Sequence, residues 1–302
     1  MTKYYQNIGL WLLLSLLITA CSNDGADGND VTKPNEETPK EITLNPTIWQ
    51  MIEGTRAATY DAGTLTSGSF TAAAYEENTT TAYISPVTVN WATDKWEWSD
   101  GKHYWPASGN LDFFGYMPAT TPSYISALTY SATSNPVAHS VTFGADLSSG
   151  ASTEFVFALT TGQNKTNAAS GVTLNFLHPF ARVKFVIGTI PSTVTVNSVS
   201  LGEVMMAGNY SYSYEGSTST WSGQSTSGSI GGLDEWIITV PYSNGSKTLT
   251  VNCTWSNWSN VTKDLTASIT ADWAVGTSYS YTLNISKDYA LTVSSSKYTE
   301  QW

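Results

Sequence analysis

The sequence predicts an all-β protein, and three observations carry that reading. Ser, Thr, Asn and Gly fill the polar positions, only 12% of the 302 residues are charged, and there are 12 Trp and 17 Tyr. Such a mixture suits half-buried strands and tight turns. Apolar residues alternate over short runs separated by turn residues, the period of strands. Long Ala/Leu/Glu/Lys stretches at helical period are missing. The balance of 13 Lys+Arg against 24 Asp+Glu, net -11, leaves no basic cluster, so nucleic acid is not an expected partner. The length accommodates two domains of ordinary size.

The N-terminus reads as a lipoprotein signal peptide, residues 1–20. Lys3 supplies the positive start, and Ile8–Ile18 is an apolar run too short to span a bilayer as a helix. "LITAC" then places small Ala20 before Cys21, the lipobox arrangement that predicts cleavage there and a diacylated Cys21. This implies attachment to the outer membrane through the lipid. With Cys21 acylated only Cys253 remains, which predicts no disulfide and a small buried apolar residue at 253. Residues 21–40 are acidic, Gly- and Pro-containing and almost free of apolar groups, so they read as a flexible tether.

Strand patterns begin at "EITLNPTIW", where Ile42 and Leu44 alternate with polar neighbours until Pro46. "SFTAAAY" and "TAYISPVTVNW" continue the theme. In Trp91–Pro118, Asp100-Gly101 is the kind of pair that closes a two-residue hairpin. That hairpin would set Trp98 opposite His103 and Trp96 opposite Trp105, an aromatic slab with Glu97 on the other face. Glu154–Gly171 ends a strand and turns small and polar, the best boundary candidate, so the expected domains are 41–168 and 169–302. In "VTLNFLHPFARVKFVIGTI", even-numbered apolar residues give way to odd-numbered ones near His178-Pro179-Phe180, which predicts a bulge. "TVTVNSVSL", "WIITVPY", "KTLTVNCTW" and "SYSYTLNIS" complete the rhythm of a sandwich.

Reactive constellations are weak. Asp94, Glu97 and Asp100 beside tryptophans could serve a glycosidase, but Glu97 points away from the aromatic face and Asp100 is needed by the turn. His103, His139 and His178 lack ligand spacing. The reading is no catalytic residue, no cofactor and no metal.

The lipobox, the acidic tether, "TRA" after the first strand, "YWP…LDFFGYMP", "FVFALTTG" and "VTLNFLHPFARVKFVI" occur in one order. Together they resemble the fimbrillin family, the type V pilins of Bacteroidales, in the group similar to minor fimbrial subunits. The resemblance covers almost the whole chain. It implies two tandem transthyretin-like β-sandwiches and a structural, adhesive subunit that reaches the surface as an outer-membrane lipoprotein and ends in a fimbrium. It also implies cutting by an Arg-specific protease, then assembly with other subunits by strand donation. Arg56, one of only two arginines, stands between Gly54-Thr55 and Ala57-Ala58, which marks the Arg56–Ala57 bond and makes 41–56 a removable leader strand. Arg182 lies in a strand and should be spared. The expected donor is extended, alternating and near the chain end: Tyr289, Leu291 and Val293 share a face there, whether or not they also form the last strand of the second sandwich. A host glycan or protein receptor is the expected adhesive partner. The competing reading is a stand-alone lipoprotein that binds glycans through Trp96, Trp98 and Trp105, and burial of these rings separates the two.

Overall fold

The computed structural model describes residues 38–48, 68–151, 153–256 and 260–299. Cys21, Arg56 and Ala57 lie outside them. The first strands are β1 (Leu44–Ile48), β2 (Ser69–Glu76), β3 (Ala82–Ala92), β4 (Lys95–Trp98), β5 (Leu111–Met117), β6 (Ile125–Ser134), β7 (Val137–Asp146) and β8 (Val156–Gln163). They are followed by β9 (Val172–Phe176), β10 (Ala181–Ile187), β11 (Val194–Ser213), β12 (Thr218–Ile230) and β13 (Ile237–Thr239). The chain closes with β14 (Tyr242–Trp255), β15 (Val261–Trp273), β16 (Thr277–Ile285) and β17 (Leu291–Thr299). No helix occurs among the described residues.

One long sheet ties the fold together, in the order β15-β14-β11-β7-β6 with β12 also on β11. The first half of β11 pairs with β14, while its second half pairs with β7 and β12. The β6–β7 end faces the sheet β4-β3-β2-β5-β8, and the β14–β15 end faces β13-β10-β16-β17. Two sandwiches in tandem result, joined by a shared sheet.

The β5 sheet is covered on both faces, which explains why its strands are almost continuously apolar instead of alternating. Leu111, Phe113 and Met117 join the core of β1 and β9, whereas Phe114 joins the core of β6, β7 and β11. In β8, Val156 and Ala158 face the first way, Phe157 and Leu159 the second. Gly115 is small because an added Cβ would meet the carbonyl oxygen of Thr71 at 3.3 Å and the Leu174 side chain of β9 at 3.5 Å. Across the other interface Phe157 packs edge-on to Tyr212 at 5.5 Å, while within the long sheet Phe143 of β7 stacks on its cross-strand partner Tyr210 of β11 at 4.9 Å. Cys253 is fully buried, as its neighbours predict.

Three expectations change. The boundary at 168/169 does not separate the cores: Val172, Leu174 and Phe176 pack in the first, and β11 past residue 201 pairs with β12 and β7. Short polar turns such as 164–171 connect strands within a sandwich as readily as between two. The change of parity near His178 is not a bulge but a switch of sheets, since β9 pairs with β1 and β10 with β16. Pro179 lacks a donor, and buried His178, its Nδ1 against Glu154, anchors the crossing. Finally, the two-residue turn falls at Thr93-Asp94, with Ala92 opposite Lys95 and Trp91 opposite Trp96. Thr93 takes the left-handed conformation this closure needs, at φ 60°. Asp100 instead meets His103 Nε2 at 2.9 Å, and the chain beyond Gly101 turns toward residues 40–42.

Candidate functional site: the seat of the first strand

The alternation in "EITLNPTI" continues through Pro46: Ile42, Leu44 and Ile48 are 1%, 3% and 5% exposed, among Phe70, Phe113, Leu174 and Phe176. Each aliphatic side chain buried this far contributes about 1.5–3 kcal/mol relative to exposure. The backbone is held by two rails of opposite polarity. Ile42 N–H donates to the His103 carbonyl at 2.8 Å, and Trp105 N–H donates to the Lys40 carbonyl at 2.9 Å, an antiparallel contact. From Leu44 onward β1 runs parallel to β9, in register from Leu44 opposite Val172 to Ile48 opposite Phe176.

Val172 N–H donates to the Thr43 carbonyl at 2.8 Å, so the backbone groups of residues 43, 45 and 47 point at β9. Those of Leu44, Pro46 and Ile48 point to the opposite side, where a cleft of about 520 Å³ opens against Trp91, Lys95 and Trp96. Pro46, which has no N–H, therefore stands on the open edge, the position a sheet tolerates for proline. Polar side chains complete the grip. Asn45 donates to the Ser170 carbonyl at 2.7 Å, Lys102 meets Glu41 at 2.7 Å, and Trp98 Nε1 donates to the Ile42 carbonyl at 3.1 Å. The first strand is thus a deeply seated element with one sheet partner among the described residues.

A profile of the fimbrillin-like family matches residues 55–302, from just beyond β1 to the last residue. The chain belongs to the fimbrillin-like family. Membership makes it a fimbrial subunit of the cell surface that associates with other such subunits. Solved structures share the fold of this fimbrillin-like chain. A fimbrial protein from Bacteroides vulgatus aligns with a TM-score of 0.59 at 15% identity, covering 86% of this chain and 99% of its own. A candidate cell-adhesion protein from Bacteroides uniformis aligns at 0.54 and 16%, covering 85% and 98%. One from Bacteroides ovatus aligns at 0.50 and 17%, covering 86% and 97%. At such identities the likeness establishes the fold alone. No curated protein matches.

The other expected site residues of the fimbrillin-like chain fall as follows. Trp98 and Trp105 are each 7% exposed and belong to the core beneath β1, and half-buried Trp96 packs on Phe70 at 4.9 Å. All three pack in or against that core, though not through the expected Asp100-Gly101 hairpin, and they form no solvent-facing platform. Arg182 is 3% exposed in the middle strand β10, with Nε donating to Ser278 Oγ at 2.7 Å and its guanidinium over the Trp236 ring at 4.5 Å. Leu291 and Val293 sit half-buried on β17, the edge strand opposite Ile285 and Leu283 of β16. Tyr289 precedes the strand: it lies in the turn closed by Ser286, at φ 63°, with its ring 4.6 Å from that of Trp255. Among the described residues no three His, Cys, Asp or Glu side chains stand where they could hold a metal ion.

Proposed function

We propose that this fimbrial subunit is exported as a lipoprotein acylated on Cys21 and cut between Arg56 and Ala57. The tether and β1 then leave, and a strand from another subunit takes the vacated place. The observation that supports this most is β1 with its lead-in: an edge strand near the N-terminus whose Leu44 and Ile48, together with Ile42 just before it, fill an apolar slot along β9. Its loss would expose that slot together with the unpaired edge of β9, which is what an incoming strand recognises. The Leu291–Thr299 edge strand is the donor in this reading. Outer-membrane attachment precedes cutting, and the assembled fimbrium presents its adhesive surface to a host glycan or protein receptor.

Limited digestion of the folded precursor with an Arg-specific protease should cut after Arg56 and leave Arg182 intact. Strand backbone between β13 and β16 cannot enter a protease cleft without local unfolding. First cleavage at Arg182, read by mass spectrometry of the fragments, would overturn this assignment. Lipidation has its own test: Cys21→Ser should move the protein from the detergent phase to the aqueous phase, and unchanged partitioning would contradict acylation at that residue.

A further inference from the structure

Away from the seat of β1, the interface between the β5 sheet and the β7 sheet becomes polar at one rim. Along β5, Phe114 faces β6 and β7, and two residues before it on the same face stands Asp112, 0% exposed. Along β7, Val141 and Phe143 face β5, and the next residue on that face is His139, 3% exposed. The two meet, with His139 Nε2 3.0 Å from Asp112 Oδ2. The other ring nitrogen, Nδ1, lies 2.5 Å from Glu215 Oε1 in the turn between β11 and β12. Glu215 Oε2 accepts the backbone N–H of His139 at 2.9 Å. Asp112 also accepts the Asn78 N–H at 2.7 Å, the Gly162 N–H at 2.8 Å and the Tyr130 hydroxyl at 3.4 Å.

Donor and acceptor accounting assigns the protons. Each carboxylate already accepts backbone N–H groups, and each faces one ring nitrogen, so both nitrogens of His139 donate and the ring is an imidazolium shared by two carboxylates. The other titratable groups around it among the described residues are Tyr130 of β6 with Tyr75 of β2 against it, Glu77 of the turn after β2, and Tyr212 and Tyr214 before Glu215. All of them are acids, so among the described residues no second cation competes for Glu215. Four segments converge here: the turn after β2 and the end of β8 through Asp112, β6 through Tyr130, and the β11–β12 turn through Glu215.

We propose that Asp112, His139 and Glu215 form an acid-weakened latch, in which the Asp112–His139 contact holds the β5 sheet against the long sheet and Glu215, at the end of that same long sheet, fixes the His139 ring for it. Asp112 is shut off from solvent, whereas the Glu215 side chain is 36% exposed, so solvent protons reach the latch at Glu215. Burial pushes the Glu215 carboxyl up, but the backbone N–H and ring of His139 outweigh it and hold the group below the ordinary 4.5. A carboxyl held low contributes stability that is fully present above about pH 4.5 and is lost as pH falls through the folded-state value. The latch is therefore at full strength at neutral pH and weakens in acid, where Glu215 no longer fixes the ring that meets Asp112.

The test compares thermal unfolding of the full chain with its Glu215→Gln, His139→Gln and doubly substituted forms, at neutral pH and at about pH 3. At neutral pH, Glu215→Gln should lower the midpoint by about 2–4 °C. At the acid pH the gap to the natural chain should close, because that chain has lost the same contact. In the His139→Gln background the Glu215 substitution should have roughly half its effect or less. A gap equal at both pH values, or an undiminished Glu215 effect without His139, would overturn the latch. Should His139→Gln fail to fold, the pH dependence of Glu215→Gln decides alone, since that half-exposed side chain can be changed without opening the core.

Discussion

A chain that ends at Ala290 is expected to reach the surface and lose its leader, yet form no fibres. Ending there keeps Tyr289 on the Trp255 ring, so the turn after β16 stays anchored while β17 is gone. Among its described side chains, the lost strand supplies two aliphatic ones, Leu291 and Val293, both half-buried, followed by Ser294, Ser295 and Ser296. The subunit should therefore still fold, because the larger core keeps Leu283, Ile285 and Trp255 from other strands. Electron microscopy of cells that make only this form checks the polymer, and mass spectrometry of the protein checks export and cutting. Fibres of normal length would rule out this strand as the donor; failure of export would point to misfolding instead.

The largest effect of a single substitution is expected at Asp112. Asp112→Ala removes the acceptor for two backbone N–H groups, a tyrosine hydroxyl and an imidazolium, all inside the interface between two sheets. Removing one partner of a buried charge pair costs about 3–5 kcal/mol, because the other charge stays behind uncompensated. The midpoint of urea unfolding at neutral pH should fall accordingly, and far more than for Asp94→Ala, whose side chain is exposed in the β3–β4 turn. A change at Asp112 no larger than that at Asp94 would mean that the network carries no stability.

Much of the architecture was legible because alternation is local. Ile42 and Leu44 marked the first strand as half-buried, and period-two spacing put Trp96 and Trp98 on one face, whereas adding Trp105 to that face rested on an Asp100-Gly101 hairpin that does not form. What failed was pairing, which depends on distant segments. Asp100-Gly101 has good hairpin chemistry, but Thr93-Asp94 closes a nearer turn that pairs Trp91 with Trp96, and residues 40–42 then claim the chain beyond Gly101. The two-faced burial of "LDFFGYM" was visible as an apolar run, yet its polar member could not be assigned. Asp112, His139 and Glu215 are separated by 27 and 76 residues, and each is individually bland. The one available signal was an Asp inside a strand with apolar residues on both sides, a position where a carboxylate needs partners.

The central claim is that β1 is a temporary occupant of its seat. It is tested most directly by mass spectrometry of the N-terminus of subunits isolated from native fimbriae. The account predicts chains that begin at Ala57 and lack Ile42, Leu44 and Ile48. Polymerised subunits that begin at an acylated Cys21, or otherwise retain β1, would contradict it.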